Sequence, residues 1–566
     1  MSLAAVGIVV LALVLRLWGL AQGLPYVYNV DENSHFVPEA IGFFGHGFNP
    51  GYFVNPPAFT YLLHVVLALR FGGASGVWHA YAMDPGAVFA TARATGAVLG
   101  ALAVWLLYRA GRRLWDPWVG LLAGGLLAVA FLPVFYGHLA VNDGPTLAPL
   151  CLSLLGTAAI VRRGARRDWL LAGAAAGLAA ATKYTGAIAV VAIAGAALIT
   201  LSPPGARRRA LTGLAVAGGA ALVAFLVANP YALADFSAFR HDLAGQNRVS
   251  AAQGKLGQAA TSGWAFYLRA AGWGLGVLPA LAALGGIVLL ARRERRLLWI
   301  FAPALVLFYV FMAHQSRWFG RWLMPALPVL CLLAARAGVA AVRAGAARRP
   351  RLTPALAAVV ALALTGQALV HDVHTDVALA RPDTRALARG WMVAHLPPGT
   401  PMLVEPIAPG SWLGDPGRSF AATPDGNRWR HVDPLAPEQH GPLLADSSRA
   451  STPYRYTSDL SAVGDEDYVR RLVPALYDAL TARGVCTVVT GSTVYGRVEN
   501  QAAHLPDAVA WYALLRSRGT LLYRVAPAGG AQRFDFDFSF DAYPLADERA
   551  GPEVEVWRLR GGRCGP

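Results

Sequence analysis

The sequence predicts a polytopic α-helical membrane protein with a C-terminal extracytoplasmic α/β domain. Three observations carry this. Of 566 residues, 55% are hydrophobic and 14% charged, with a mean hydropathy of +0.43, where a soluble chain carries about a quarter charged residues. Apolar runs of about 15–25 residues recur through the first two-thirds, long enough to cross a ~30 Å hydrocarbon core as helices. Arginines cluster between those runs, at 112–113, 162–167, 207–209, 292–296 and 343–351. These clusters contain nearly the whole excess behind the net charge of +16. Short basic loops between spans are the positive-inside signal, so the charge reports topology and does not point to nucleic acid.

A first helix at 3–21 is expected to lead outward. No basic stretch precedes it and many spans follow, so it reads as a retained helix and not as a signal peptide. An outer segment at 23–86 carries "YNVDENSHF" (28–36) and "NPPAFTYLLHVVLALRFGG" (55–73). The apolar run of the second stretch is short for a span and reads as a helix at the outer interface, with an ordinary span as the alternative. Spans are expected at 87–110, 118–136, 146–161, 169–183, 186–201, 210–228, 266–290, 297–313, 322–340 and 352–371, about eleven crossings in all. "GLGVLPALAALGG" (274–286) belongs to one of them, its glycines marking close helix packing. The N-terminus then lies in the cytoplasm, 1–372 forms the membrane module of a plasma (inner) membrane protein, and 373–566 lies outside. On this assignment Asp31, Glu32, Glu39, Asp84, Asp143, Asp235 and Asp242 share the outer face. Asp116, Asp168 and Glu294 fall inside, beside arginines.

The tail alternates helix and strand patterns, hence a small α/β domain. Helices are expected at "DTRALARGWMVAHL", "DEDYVRRLVPALYDALTARG" and "PDAVAWYALLRSRG", and strands at "PMLVEP", "VCTVVT", "TLLYRVAP" and "EVEVWRLR". No glycine-rich phosphate fingerprint occurs there. Cys151 and Cys331 fall in apolar runs and read as inert core residues. Cys486 and Cys564 share the tail, where pairing and free thiols are both open.

Charged residues near a bilayer are costly and often functional. Asp31 and Glu32 are adjacent and cannot aim at one atom, so they are expected to differ in role; the bland reading is a polar cap on the helix end. Asp143, in "FYGHLAVNDGPTL", can orient an acceptor, bind a metal or cap the next helix ahead of Pro145. Lys183, in "ATKYTG", is one of only two lysines, with Lys255, among 49 basic residues. A compact ammonium suits a phosphate, and snorkelling to the interface is the alternative. "HQSRWFGRWLMPALP" puts Arg317 and Arg321 four apart, on one face of a helix if a helix forms, among Trp318, Phe319 and Trp322. The pair reads as a phosphate clamp or as part of an aromatic belt. "HDVHTD" (371–376) has metal-like letters but reads as a polar boundary.

These segments, in order, resemble the GT-C superfamily of membrane glycosyltransferases. They are most similar to the bacterial members of the dolichyl-phosphate-mannose–protein mannosyltransferase family (family 39), and also to the lipid A aminoarabinose transferases. The resemblance rests on "RLWGL…VDENSHF", "NPPAFTYLL", "RATGAVLGALAVWLLYRAGRRL", "LAVNDGPTL", "GLAAATKYTGA", "RWFGRWLMPALP" and "RPDTRALARGWMVAHLPPGTP", and covers about 1–400. It implies inverting transfer of a sugar from a polyprenyl-phosphate donor to a hydroxyl of a protein, lipid or glycan acceptor, on the extracytoplasmic face. Asp31 maps to the general base and Glu32 to its partner in the DE pair. Asp143 maps to the second-loop acid, and Lys183, Arg317 and Arg321 to donor-phosphate contacts. Tyr184, Trp318 and Trp322 map to donor lipid or sugar contacts. Some relatives use a divalent metal and others none. Relatives carry Arg-Tyr in the late segment where this chain has Arg321-Trp322.

A transporter or lipid-carrier flippase is the rival class, and a non-catalytic membrane scaffold the third. A transporter predicts inverted repeats and charges along a central path; no repeat is visible, and the acids gather on one side.

Overall fold

The computed structural model describes residues 2–201, 206–252, 254–258, 262–415, 427–432, 465–529 and 544–565. Helices fill the chain from Leu3 to Leu379, and a five-stranded sheet follows. Among the described residues, five helices are long and apolar enough to cross a membrane, and three more pass only as bent pairs. Leu3–Leu17, Leu147–Arg162 and Tyr184–Thr200 are apolar but shorter. Against about eleven expected crossings, the described residues thus give up to eight spans when each bent pair counts once, beside the three shorter apolar helices.

The bends have local causes. The expected span at 266–290 is two helices, Gly263–Gly274 and Val277–Arg293, meeting at 109°. Gly276 sits between them at φ +108°, a conformation that favours glycine. "GLGVLPALAALGG" thus holds a break as well as packing glycines. Pro117–Ala128 and Phe131–His138 likewise meet at 59°. Ala58–Phe71, expected to lie at the interface, spans about 21 Å at 1.5 Å per residue and turns by 89° into Ala74–Met83.

Among the described residues the longest unbroken α-helix is Pro85–Leu114, 30 residues or about 45 Å. Asp84 caps it, accepting from the Ala87 N–H at 3.2 Å, and Pro85 takes the first position, where no N–H is needed. Its far end meets the arginine-rich loops: Asp116 pairs with Arg343, Asp168 with Arg163, and Glu294 with Arg336. Helices Arg166–Thr182 and Ala206–Ala228 touch backbone to backbone. A Cβ on Gly173 or Gly177 would lie 2.1 or 2.0 Å from the Ala217 or Ala221 carbonyl oxygen, the small-residue packing common between membrane helices.

"HDVHTD" is a polar segment that is buried in part and meets the tail, where His374 lies 3.0 Å from the Pro544 carbonyl. Thr353–Leu379 continues through it, and Asp372 and Asp376 are buried. Asp376 lies 3.2 Å from the Nε2 of His138, and Arg16 beside them is buried too.

The tail sheet has strands β1 (Pro401–Val404), β2 (Arg430–His431), β3 (Thr487–Gly491), β4 (Thr520–Val525) and β5 (Val554–Arg558), in the order β2-β1-β3-β5-β4. The first three run parallel; β5 is antiparallel to both neighbours. Thr384–His395 and Pro506–Arg518 form as expected. The helix expected over 465–484 is split into Asp465–Arg471 and Ala475–Arg483 around Pro474, which lacks an N–H to continue a helix. Among the described residues of the tail, β2 and the α-helix Ser492–Asn500 were not foreseen, nor were the short 3-10 turns. A disulfide joins Cys486 to Cys564.

Glu405, at the end of β1, is fully buried. It accepts the Gly491 N–H at 2.8 Å and the Tyr512 hydroxyl. Burial pushes its pKa from 4.5 up to about 8, against those two bonds. The fold therefore favours the protonated acid. This contribution is full below 4.5 and is lost as pH rises through about 8. Glu405→Gln, neutral at every pH, should gain melting temperature over wild type progressively between about pH 5 and 9, read by tryptophan fluorescence. A difference constant across that range would exclude this titration.

Candidate active site

The helix that follows the first loop contains a π-turn, Glu32–Phe36, ahead of Val37–His46. Pro38 has no N–H to offer the Ser34 carbonyl, so the regular ladder is interrupted there. Asp31 and Glu32 leave this turn in different directions. Glu32 is wholly buried and accepts from Arg93 twice, Nε to Oε1 at 2.7 Å and Nη2 to Oε2 at 2.8 Å. Its Oε1 also takes the Ala140 N–H at 3.0 Å. Arg93 spends its third nitrogen on the carbonyls of Leu20 and Gln22, at 2.7 and 2.8 Å. Glu32, the partner of Asp31 in the DE pair, thus ties the first loop to the long helix and the second loop.

The Asp31 side chain is 32% exposed and pairs with Arg321 Nη2 at 2.8 Å. Partial burial opposes its ionisation, but Arg321, His35, Lys183 and Lys255 together outweigh this and hold the carboxyl below its ordinary value. His35 stacks on Tyr52 at 4.7 Å. Burial and the Asp31 charge push the Tyr52 phenol up, so it stays protonated.

The second loop is buried throughout 136–146. Asp143 forms an ion pair with Lys183. The helix cap foreseen as one reading is not made by Asp143: Thr146 holds the N-cap position of Leu147–Arg162. Asn142 braces the pair, donating to the Thr182 carbonyl at 2.9 Å and to Asn55 at 3.3 Å. Lys183 follows the last residue of Arg166–Thr182 in an extended conformation and is directed inward. Tyr184 donates to the Phe53 carbonyl at 2.8 Å, and Asp242 accepts the Phe53 N–H at 2.8 Å.

In the late segment the helical face expected for Arg317 and Arg321 does not exist. Helix Leu298–Ala313 ends where expected, ahead of both arginines; Phe319 is extended, and Gly320–Ala326, containing Pro325, is a tighter 3-10 helix. Arg321 lies against the rings of Phe319 and Tyr136, at 4.8 and 5.9 Å, and reaches Asp31. Arg317 is half-buried, its N–H donating to the Ser250 carbonyl at 3.2 Å. Trp318 packs on Phe266 and donates to the Gln315 carbonyl; Trp322 packs on Phe319. Sequence reasoning left Lys255 out of the site. Its ammonium sits 4.5 Å from the centre of the Phe319 ring, beside Arg321. Its rarity as a lysine was the available signal.

Five chain segments thus converge: Asp31 from the first loop, Asp143 from the second, Lys183, Arg321 and Lys255. The arrangement is two carboxylates, Asp31 and Asp143, among three cations. It can bind an anion while keeping a base beside it. Among the described residues no group of three or more His, Cys, Asp or Glu side chains is placed to hold a metal. Asp31 and Asp143, the acids a divalent ion would draw on, are each engaged by a cation.

The family model described as dolichyl-phosphate-mannose-protein mannosyltransferase matches residues 85–233. That span holds Arg93, Asp143 and Lys183. No curated protein sequence matches the chain. Among solved structures, the archaeal oligosaccharyltransferase AglB from Archaeoglobus fulgidus, in complex with an inhibitory peptide and a dolichol-phosphate, is similar at TM-score 0.52 and 13% identity, over 98% of this chain and 88% of that one. The apo oligosaccharyltransferase of the same organism gives 0.51 and 15%, over 94% and 74%. ArnT from Cupriavidus metallidurans bound to undecaprenyl phosphate gives 0.48 and 16%, over 99% of each chain. Residues 85–233 therefore carry the pattern of the dolichyl-phosphate-mannose-protein mannosyltransferases, and the chain as a whole shares its fold with the archaeal oligosaccharyltransferase.

Proposed function

We propose that the protein is a glycosyltransferase that moves a sugar from a polyprenyl-phosphate donor to a hydroxyl acceptor on the extracytoplasmic face, with inversion. The observation that carries this is Asp31 held among Arg321, Lys183 and Lys255. Asp31 takes the acceptor proton as the acceptor oxygen bonds to the anomeric carbon. The bond from that carbon to the phosphate oxygen breaks, and the three cations stabilise the charge left on the phosphate. The arriving phosphate competes with Asp31 for Arg321. As that pair loosens, Asp31 becomes a stronger base at the moment it is needed. Asp143 orients Lys183. The prenyl chain approaches between helices near Trp318 and Trp322, and Tyr184 braces the loop beneath the donor.

The outward side is argued from charge and chemistry. The acids of the site gather away from the arginine-rich loops, as the positive-inside rule expects. A disulfide in the tail suits an oxidising compartment.

The test is native mass spectrometry of purified Asp31→Asn, supplied with undecaprenyl-phosphate-linked sugars. The variant should retain a donor whose mass names the sugar. Adding Lys183→Ala or Arg321→Ala should weaken retention about tenfold or more. Bulk phospholipid alone, with carrier lipids added back, would refute the donor assignment.

A further inference from the structure

Lys255 stands in the short stretch between helices Phe236–Ala252 and Gly263–Gly274, and the tail domain holds that stretch. Three side chains at the end of helix Ser492–Asn500 grip three consecutive carbonyls. Arg497 Nη1 donates to Leu256 at 2.9 Å, Asn500 Nδ2 to Gly257 at 3.1 Å, and Gln501 Nε2 to Gln258 at 3.2 Å. Arg497 is buried, and the helix follows directly from β3 in the middle of the sheet. The contact is close: a Cβ on Gly257 would lie 2.7 Å from Arg497 Cγ. Next in the loop, Lys255 projects onto Phe319, the ring that also receives Arg321.

We propose that the α/β domain sets the position of Lys255 in the active site, with Arg497 as the positioning residue. The inference rests on the proposed function only for what Lys255 then does, which is to meet the donor phosphate. An irregular loop bearing Gly254 and Gly257 has many conformations open to it. Carbonyl grips at three successive residues select one of them, and a buried guanidinium is costly to release from its acceptor. The domain is therefore part of the site's frame. Its helix Thr384–His395 also reaches the loop ahead of Asp31, where Arg385 lies 3.8 Å from the Tyr28 ring and Arg389 5.1 Å from the Tyr26 ring. A displacement of the domain moves Lys255 relative to Arg321 and so changes the hold on the phosphate.

Lys183 and Lys255 are the only side-chain amines in the sequence, which makes the test specific. Full-length protein in lipid nanodiscs is reductively ¹³C-methylated, and the Lys255 signal is assigned by its loss in Lys255→Arg. In wild type the Phe319 ring should displace this signal from the free-lysine position. Arg497→Ala should return it to that position and weaken binding of undecaprenyl phosphate about tenfold, with the Lys183 signal unmoved. Arg497→Lys should restore part of both. Should Arg497→Ala not fold, Asn500→Ala with Gln501→Ala keeps the buried arginine and should move the signal the same way. A Lys255 signal at the free position in wild type, or unmoved in every folded variant, overturns the proposal. A signal that moves as expected while undecaprenyl phosphate fails to bind wild type supports the clasp and removes the donor reading alone.

Discussion

Asp31→Asn should lower kcat for sugar transfer by about 10²–10⁴-fold, the usual weight of a general base, in a protein that stays folded. The carboxamide keeps the shape of the carboxylate and lacks its basicity. Stability should change little, because the pair with Arg321 is partly exposed and such pairs contribute about 0–1 kcal/mol. Donor affinity should hold or rise, since the three cations lose a competing anion. The pH profile gives a second readout. Cations hold the Asp31 carboxyl below its ordinary value of 3.8, so it stays ionised well into acid and contributes no acid limb near neutrality. Arg321→Gln removes the largest of the lowering influences. The carboxyl then rises, and the acid limb of the rate should move to higher pH. Single-turnover transfer across pH checks both variants. Wild-type kcat in Asp31→Asn would move the base elsewhere in the site.

What could be read from the sequence follows from the range of the interactions concerned. The expected sidedness is compositional: arginine clusters between the apolar runs, and lone acids elsewhere, can be read before any detail of packing. The different partners of Asp31 and Glu32 were legible as a divergence, because neighbours cannot aim at one atom. The partner that decides Glu32, Arg93, lies 61 residues away, and nothing local marks it as the second half of an ion pair. Arg317 and Arg321 misled because spacing four apart implies a shared face only where a helix forms, and the chain leaves the helix at Ala313. The same limit hid the break at Gly276, since hydropathy runs unbroken across it. Lys255 and the helix that holds its loop were missed for one reason. Ser492–Asn500 is nine residues long and opens on Ser-Thr without a clear apolar stripe. Its importance comes from a contact between residues 241 apart.

The strongest stability effect should come from Arg93. Arg93→Ala leaves the Glu32 carboxylate buried without its cation, and the Leu20 and Gln22 carbonyls without their donor. Breaking one side of a buried pair typically costs about 3–5 kcal/mol, so little folded protein should survive extraction into detergent. Arg93→Lys should rescue poorly, because one ammonium cannot reproduce a fork that serves a carboxylate and two carbonyls at once. Replacing both partners, Arg93→Met with Glu32→Leu, removes the uncompensated charge and should recover much of the lost stability. Activity should not return with it. The strut fixes the π-turn from which Asp31 projects, and the Ala140 N–H links that turn to the loop holding Asp143. Without it, Asp31 has no fixed distance to Arg321 or to Lys183. Size-exclusion monodispersity and fluorescence melting report the first half of this expectation, and kcat of the double variant the second. A folded, fully active double variant would mean that the turn holds its shape unaided. A stable Arg93→Ala would mean that water reaches Glu32, and the buried strut would have to be abandoned.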